Sequence, residues 1–208
     1  MSSPTNLPSP IDLNAMDLDP HVEFARWFAH ATAAGVHEPE AVALATADGA
    51  GRPSVRMVLL RGFGADGYLW FTNGTSRKGR ELAANPRAAL VAHWAAVGRQ
   101  VRIEGAVAPA SPECSDSYFA GRDRGSQLGA WASHQSAPLT DRRELMGRLE
   151  QLTRDFGTDP VPRPPKWGGY VLSADRVEFW QHGAHRIHDR VEYLLEDDGS
   201  WSRRRLNP

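Results

Sequence analysis

The segment "GAHRIHDR", Gly183 to Arg190, directly follows the aromatic run "VEFWQ" and sets two arginines, two histidines and an aspartate around one isoleucine. Arg186, His188 and Arg190 occupy alternate positions, so in a strand they would share one face. Cations crowded on one face are relieved by an anion between them; a solvated turn is the plainer alternative. The spacings of His182, His185 and His188 do not fit a metal centre.

A second cationic cluster opens a helix. In "TNGTSRKGREL", Arg77 and Lys78 stand beside Thr72, Thr75 and Ser76. Cations are mildly unfavourable at a helix N-terminus, whose free N–H groups favour phosphate, so a bound anion would resolve the conflict. A third cluster lies in "YFAGRDRGSQLGAWASHQS". Tyr118, Arg122 and Ser126 recur every four residues and share a face if the helix is continuous. Phenol, guanidinium and hydroxyl are the donors a phosphate monoester would meet; a loop of solvated arginines is the alternative. Gln135 and Ser136 add further hydrogen-bonding groups. In "SVRMVLLRGF", Arg56 is either a charge on the solvent face or an anion ligand. In "GRQVRIEG", Gln100 could address both edges of a heterocycle, although a solvated strand face explains it equally simply.

The elements that must position these residues follow from periodicity and turn signals. Residues 1 to about 18, rich in Ser, Pro and Asn, read as a mobile tail. "DPHVEFARWFAHATAAG" reads as a helix capped by Asp19, started by Pro20 and stopped by Gly35. "AVALATAD", "SVRMVLLRGF", "YLWFTN", "RAALVAHWAA" and "GRQVRIEGAVAPA" read as strands, as do "GGYVLSA", "RVEFWQ", "HDRVEYLLE" and "WSRRRLN". "TSRKGRELAANP", "SPECSDSYFAGR", "GSQLGAWAS" and "TDRRELMGRLEQLTRDFG" read as helices. Strands joined by short turns, with helices inserted singly, predict an antiparallel α+β barrel in one domain over residues 19–208. A doubly wound parallel sheet would need regular strand–helix alternation.

Bulk properties exclude some classes. With 24 basic against 25 acidic residues the net charge is −1, and nucleic-acid binders normally carry a basic excess. Cys114 is the only cysteine, so no intrachain disulfide or cysteine-rich metal site is possible. No apolar run is long enough to span a membrane, and the N-terminus lacks the pattern of a secretory signal. A cytoplasmic protein is expected.

Taken in order, "RMVLL", "FTN..SRKGREL", "GRQVRIEG", "YFAGRDRGSQLGAWASHQS", "WGGY", "VEFWQ" and "RIHDR" resemble the pyridoxine/pyridoxamine 5′-phosphate oxidase family from about residue 19 to Pro208. The resemblance implies an α+β, mainly β, FMN-binding split β-barrel with peripheral helices, working as a homodimer with FMN at the interface. It implies that Arg56, Met57, Val58 and Leu59 line the flavin and that Arg77 and Lys78 hold its phosphate. Phe71, Thr72, Gln100, Gln135, Ser136, Trp180 and Arg190 resemble further flavin contacts. Tyr118, Arg122 and Ser126 resemble the grip on the substrate phosphate, and Arg186 and His188 the catalytic pair facing the substrate. The implied reaction oxidises pyridoxine or pyridoxamine 5′-phosphate to pyridoxal 5′-phosphate, with O2 as acceptor and H2O2 as product. Two departures stand out. Arg61 occupies a substrate-phosphate position where the family carries Lys, and the N-terminal segment lacks the family's Arg-x-x-Tyr lid. Both leave room for a related flavin oxidase of another ring, such as a reduced phenazine precursor, or for a non-enzymatic flavin or pyridoxal phosphate carrier.

Overall fold

The computed structural model describes residues 9–208. It contains nine strands: β1 (Ala41–Ala47), β2 (Pro53–Leu59), β3 (Gly62–Gly64), β4 (Gly67–Asn73), β5 (Arg87–Trp94), β6 (Arg99–Pro109), β7 (Trp167–Gln181), β8 (Asp189–Leu195) and β9 (Trp201–Arg205). Five α-helices accompany them: α1 (Pro20–Ala33), α2 (Arg77–Ala84), α3 (Pro112–Ala120), α4 (Arg124–Ala132) and α5 (Arg142–Phe156). Among these described residues no helix is long and apolar enough to cross a membrane.

Every strand pair is antiparallel, in the order β2-β1-β5-β6-β7-β4-β3, with β8 and β9 continuing from β7. The long strand β7 organises the sheet. Its first part, Trp167–Leu172, pairs with β4, and its last part, Arg176–Gln181, pairs with β8. Between these stretches β7 bulges at Asp175, which is left unpaired opposite Glu104/Gly105 of β6, the local device by which a sheet turns a corner. A side chain at Gly105 would place its Cβ 2.0 Å from the Ser173 carbonyl oxygen, so only glycine permits the approach. The sheet curls, and β2 comes beside β4.

The local signals explain the elements. Asp19 caps α1 by accepting from the His21 N–H, with Pro20 as first helical residue. Phe24, Trp27 and Ala31 fall on the buried side of α1. On β1, Val42, Leu44 and Thr46 are buried, while Ala41, Ala43, Ala45 and Ala47 face out. The main core gathers Phe24, Trp70, Trp94, Phe179 and Tyr193 inside the curl. A second core of Phe119, Leu128, Val161 and Trp167 lies under α3, α4 and α5.

Three expectations are corrected. The mobile tail does not extend to residue 18. Residues 9–18 pack on the barrel, with Ile11 and Met16 buried, because β8 and β9 supply partners for their backbone. The Ile11 N–H donates to Asp189, Arg203 donates to the Met16 carbonyl, and the Tyr193 hydroxyl donates to the Asp17 carbonyl. Residues 1–8 lie outside the described residues. "GGYVLSA" and "RVEFWQ" form one strand, and "SVRMVLLRGF" forms two, broken at Leu60–Arg61. "GAHRIH" is a turn: Ala184–Arg186 form a 3-10 turn in which His185 and Arg186 take positive φ (55° and 66°), and β8 starts only at Asp189.

Candidate active site

A cleft of about 280 Å³ opens where β2 faces β4 and α3. Met57, Val58, Leu59 and Arg61 form one wall; Phe71, Thr72 and Lys78 form the base; Tyr118, Arg122, Gln135 and Trp167 close the other side. Arg122, Gln135 and Trp167 also line an adjoining recess of similar volume with Ser126. Phe71, Tyr118 and Trp167 lie nearly parallel, with Phe71 and Tyr118 ring centroids 3.9 Å apart at 5° and Phe71 and Trp167 5.4 Å apart at 8°. The result is a flat aromatic wall beside a polar floor.

Two cations in this cleft lack an anionic partner among the described residues. Lys78 is only 7% exposed, and its Nζ donates to Thr72 Oγ1 (2.9 Å), Gln135 Oε1 (3.2 Å) and Ser76 Oγ (3.4 Å), all neutral. Burial, reinforced by the nearby charge of Arg56, pushes the Lys78 ammonium down to about 8. Arg122 Nη1 is buried with no hydrogen-bond partner, and its guanidinium lies 5.0 Å from the Trp167 ring centroid. A buried donor without a partner costs about 1–3 kcal/mol, a cost that an anion reaching Arg122 Nη1 would relieve.

The helical face expected for Tyr118, Arg122 and Ser126 is broken. Helix α3 ends at Ala120, and Asp123 caps α4 by accepting from the Ser126 N–H at 2.8 Å. The three residues still line the two adjoining cavities, Tyr118 and Arg122 the cleft and Arg122 and Ser126 the recess.

Arg56 and Arg77 lie just outside the cleft lining and meet at Glu81. Arg56 Nη2 reaches Glu81 Oε2 at 3.2 Å, and Arg77 Nε reaches Glu81 Oε1 at 2.8 Å. The hydroxyls of Thr46 (2.5 Å) and Ser54 (2.6 Å) donate to the same Oε2. Burial alone would raise the Glu81 carboxyl, but these four donors outweigh it and hold it at about 2. Ser136, exposed and at φ 69°, lines neither cavity.

The remaining expected residues form a second group at the far end of β7. Gln100, Trp180 and Arg190 are register partners across β6, β7 and β8. The His188 ring packs on Trp180 at 4.6 Å, and its Nδ1 accepts from the Gly183 N–H at 3.2 Å. Buried Glu178 holds Arg190 through Nε (2.8 Å) and Nη2 (3.0 Å). Arg186, His188 and Arg190 do not share a strand face, since the first two lie in the turn. A side chain at Gly183 would place Cβ 1.8 Å from the Ile187 carbonyl oxygen, so this turn closes only on glycine. Trp167 in the cleft and Trp180 in this group are separated by roughly 40 Å of strand. Sequence reasoning assigned no role to Trp167, Glu81 or Glu178. The four-residue step from Arg77 to Glu81 was the visible signal for one of them.

A curled, wholly antiparallel sheet with peripheral helices is the architecture of the split β-barrel class. The chain belongs to the pyridoxine/pyridoxamine 5′-phosphate oxidase family, a family of oxidoreductases. The family model described as "Pyridoxamine 5′-phosphate oxidase" matches residues 28–154, and "Pyridoxine 5′-phosphate oxidase C-terminal dimerisation region" matches residues 167–208. The chain is 54% identical over 192 residues to a pyridoxine/pyridoxamine 5′-phosphate oxidase of Rubrobacter xylanophilus, covering 92% of this chain and 88% of that one. It is 50% identical over 190 residues to the enzyme of the same name from Anaeromyxobacter dehalogenans, covering 91% and 96%. Among solved structures it is similar to PhzG from Burkholderia lata in complex with tetrahydrophenazine-1-carboxylic acid, with TM-score 0.88, 34% identity and coverage of 94% and 95%. A related FMN-binding protein of Nostoc punctiforme shares the fold at TM-score 0.75 and 20% identity, covering 93% and 100%.

Proposed function

We propose that this protein is an FMN-dependent oxidase that converts pyridoxine or pyridoxamine 5′-phosphate to pyridoxal 5′-phosphate. The observation that carries the reading is a pair of cations without counter-ions among the described residues, buried Lys78 and half-buried Arg122, in a cleft lined by a flat aromatic wall. A flavin phosphate and a substrate phosphate are two anions with a planar ring system between them, and the donor set suits both. When bound, FMN would supply the two-electron chemistry that oxidises C4′ with O2 and yields H2O2; the alcohol substrate gives the aldehyde directly, and the amine substrate gives it through an imine that water hydrolyses with release of ammonia.

The chain's own residues orient and neutralise. Lys78, Arg56 and Arg77 would hold the flavin phosphate, with Met57, Val58, Leu59, Phe71 and Thr72 along the flavin. Tyr118, Arg122 and Ser126 would fix the substrate phosphate, helped by Arg61 at the rim. Arg186 would stabilise developing negative charge on the substrate ring, and His188 would orient the substrate or relay a proton. Gln100, Trp180 and Arg190 would complete the flavin contacts from the same end, and Gln135 and Ser136 from the α4–α5 connection.

The separation along β7 supports a site shared between two copies. Arg186 and His188 of one protomer would reach the cleft of its partner. Three observations support a homodimer: the matched dimerisation region, exposed Val55 and Met57 (69% and 62%) on edge strand β2, and the small residues Ala43, Ala45, Ala89 and Val91 beside them in register. The strained φ at Arg186 fits a residue held for function rather than for folding.

A second reading, oxidation of a reduced phenazine-type ring, is favoured by the likeness to PhzG and by Arg61, whose Nη1 faces Glu40 at 3.9 Å. Aerobic turnover separates the two. Pyridoxal 5′-phosphate and peroxide formed in equal amounts from pyridoxine 5′-phosphate support the first; turnover only on a reduced phenazine carboxylic acid supports the second.

A further inference from the structure

Glu81 is 5% exposed and accepts from four side chains: Thr46 and Ser54 on β1 and β2, Arg56 on β2, and Arg77 one turn earlier on α2. Four groups from three elements converge on one carboxylate that does not line the cleft. Tying helix α2 to the sheet would explain one or two of these bonds. It does not explain why two of the donors are arginines next to a buried lysine.

The pattern of used and unused donors is informative. Arg56 is held on several sides: Nη1 donates to the Leu44 carbonyl (3.2 Å) and to Thr46 Oγ1 (2.5 Å), and Nη2 donates to Ser54 Oγ and Glu81. Arg77 is held through Nε alone, and its terminal nitrogens have no partner among the described residues. Its side chain is 60% exposed, so those nitrogens are presented outward from a fixed base. Without a carboxylate between them, Arg56, Arg77 and Lys78 would repel one another.

We propose that Glu81 is a positioning residue for the cofactor phosphate: it holds Arg56 and Arg77 beside Lys78 in the geometry that a phosphate monoester occupies. This rests on the reading of the cleft as a flavin site. The role is distinct from simple charge balance. A carboxylate that only lowers the positive charge opposes anion binding, and its removal tightens binding. A carboxylate that pre-organises two guanidinium groups favours binding, and its removal weakens it.

The test compares FMN with riboflavin, which carries the same ring without the phosphate. Dissociation constants are measured by quenching of flavin fluorescence on the apoprotein, for the parent chain, Glu81→Gln and Glu81→Asp, alongside apoprotein melting temperatures. Glu81→Gln is expected to weaken FMN about tenfold, the loss of a charge-assisted contact, with riboflavin affinity and melting temperature held near the parent values. Glu81→Asp, which keeps the charge on a shorter stem, should fall between parent and Glu81→Gln. Unchanged or tighter FMN binding by Glu81→Gln overturns the proposal. So does an equal loss of FMN and riboflavin, or a loss that follows the melting temperature, since either marks a structural role. A parent chain that fails to bind FMN defeats the flavin reading itself, whatever Glu81 does.

Discussion

In the proposed site Lys78 and Arg122 are the two cations of the cleft with no ion-pair partner among the described residues: Lys78 donates to neutral oxygens and Arg122 lies over an aromatic ring. For Lys78 the consequence is a pH dependence of known sign. Its ammonium titrates at about 8 in the free protein, below the ordinary lysine value. Phosphate binding requires the charged form, so FMN affinity should hold steady below pH 8 and fall as pH rises through it. Arg56, Thr72, Ser76 and Gln135 surround the amine and offer no compensating negative charge. Flavin titrations between about pH 7 and 9.5 check this, and Lys78→Met should bind weakly at every pH with the slope abolished. Arg122→Ala should raise KM for pyridoxine 5′-phosphate by about tenfold to a hundredfold while leaving FMN content unchanged. Loss of flavin from that variant would move Arg122 from substrate to cofactor. Arg186→Ala should retain flavin but slow its reduction; a reduction rate equal to the parent's removes Arg186 from the chemistry. These residue types were legible in the sequence as cationic clusters with hydroxyl neighbours. Their burial was not, since periodicity in "SRKGREL" cannot say that Lys78 turns inward and Arg77 outward.

At the scale of elements, the sequence was most informative where capping and alternation agree. Asp19 and Pro20 start α1 as expected, Ser76 caps the expected helix α2, and Val42, Leu44 and Thr46 alternate inward on the expected strand β1. It was least informative where long-range partners decide. Residues 9–18 carry the composition of a mobile tail, yet they lie along β8 and β9 because Asp189, Arg203 and Arg205 satisfy their backbone. Those partners are nearly the whole chain away, and no local signal could show them. Asp189 is central to this strap, accepting from the Ile11 N–H through Oδ2 and from Arg205 through Oδ1. Asp189→Ala should lower the melting temperature by about 3 °C and speed proteolysis near residue 11. An unchanged cleavage rate there would show that the strap is held by other contacts. The alternation of Arg186 and His188 misled in the opposite sense. Two positive-φ residues replace the strand with a turn, and Gly183 makes that turn possible.

At the scale of the molecule, the sequence names the residues of one site, but the fold distributes them over two places. Met57 to Arg122 converge at the cleft, while Gln100, Trp180, Arg186, His188 and Arg190 gather at the other end of β7. A list of motifs carries no information about which copy supplies which residue; the length of β7 is what motivates a site shared between copies. Mixing Arg122→Ala and Arg186→Ala chains therefore offers a direct check at limiting substrate. If each site takes Arg122 from one copy and Arg186 from the other, random pairing restores one intact site in half the dimers, about a quarter of parental activity. Mixtures no more active than the separate variants would place the whole site within one chain.

The measurement that bears most directly on the account is an anaerobic one. The protein is loaded with FMN, pyridoxine 5′-phosphate is added without oxygen, and the absorbance of oxidised flavin is followed. The account predicts rapid bleaching, reversed on admitting air with about one peroxide per flavin. Flavin that stays bound and oxidised in the presence of this substrate contradicts it.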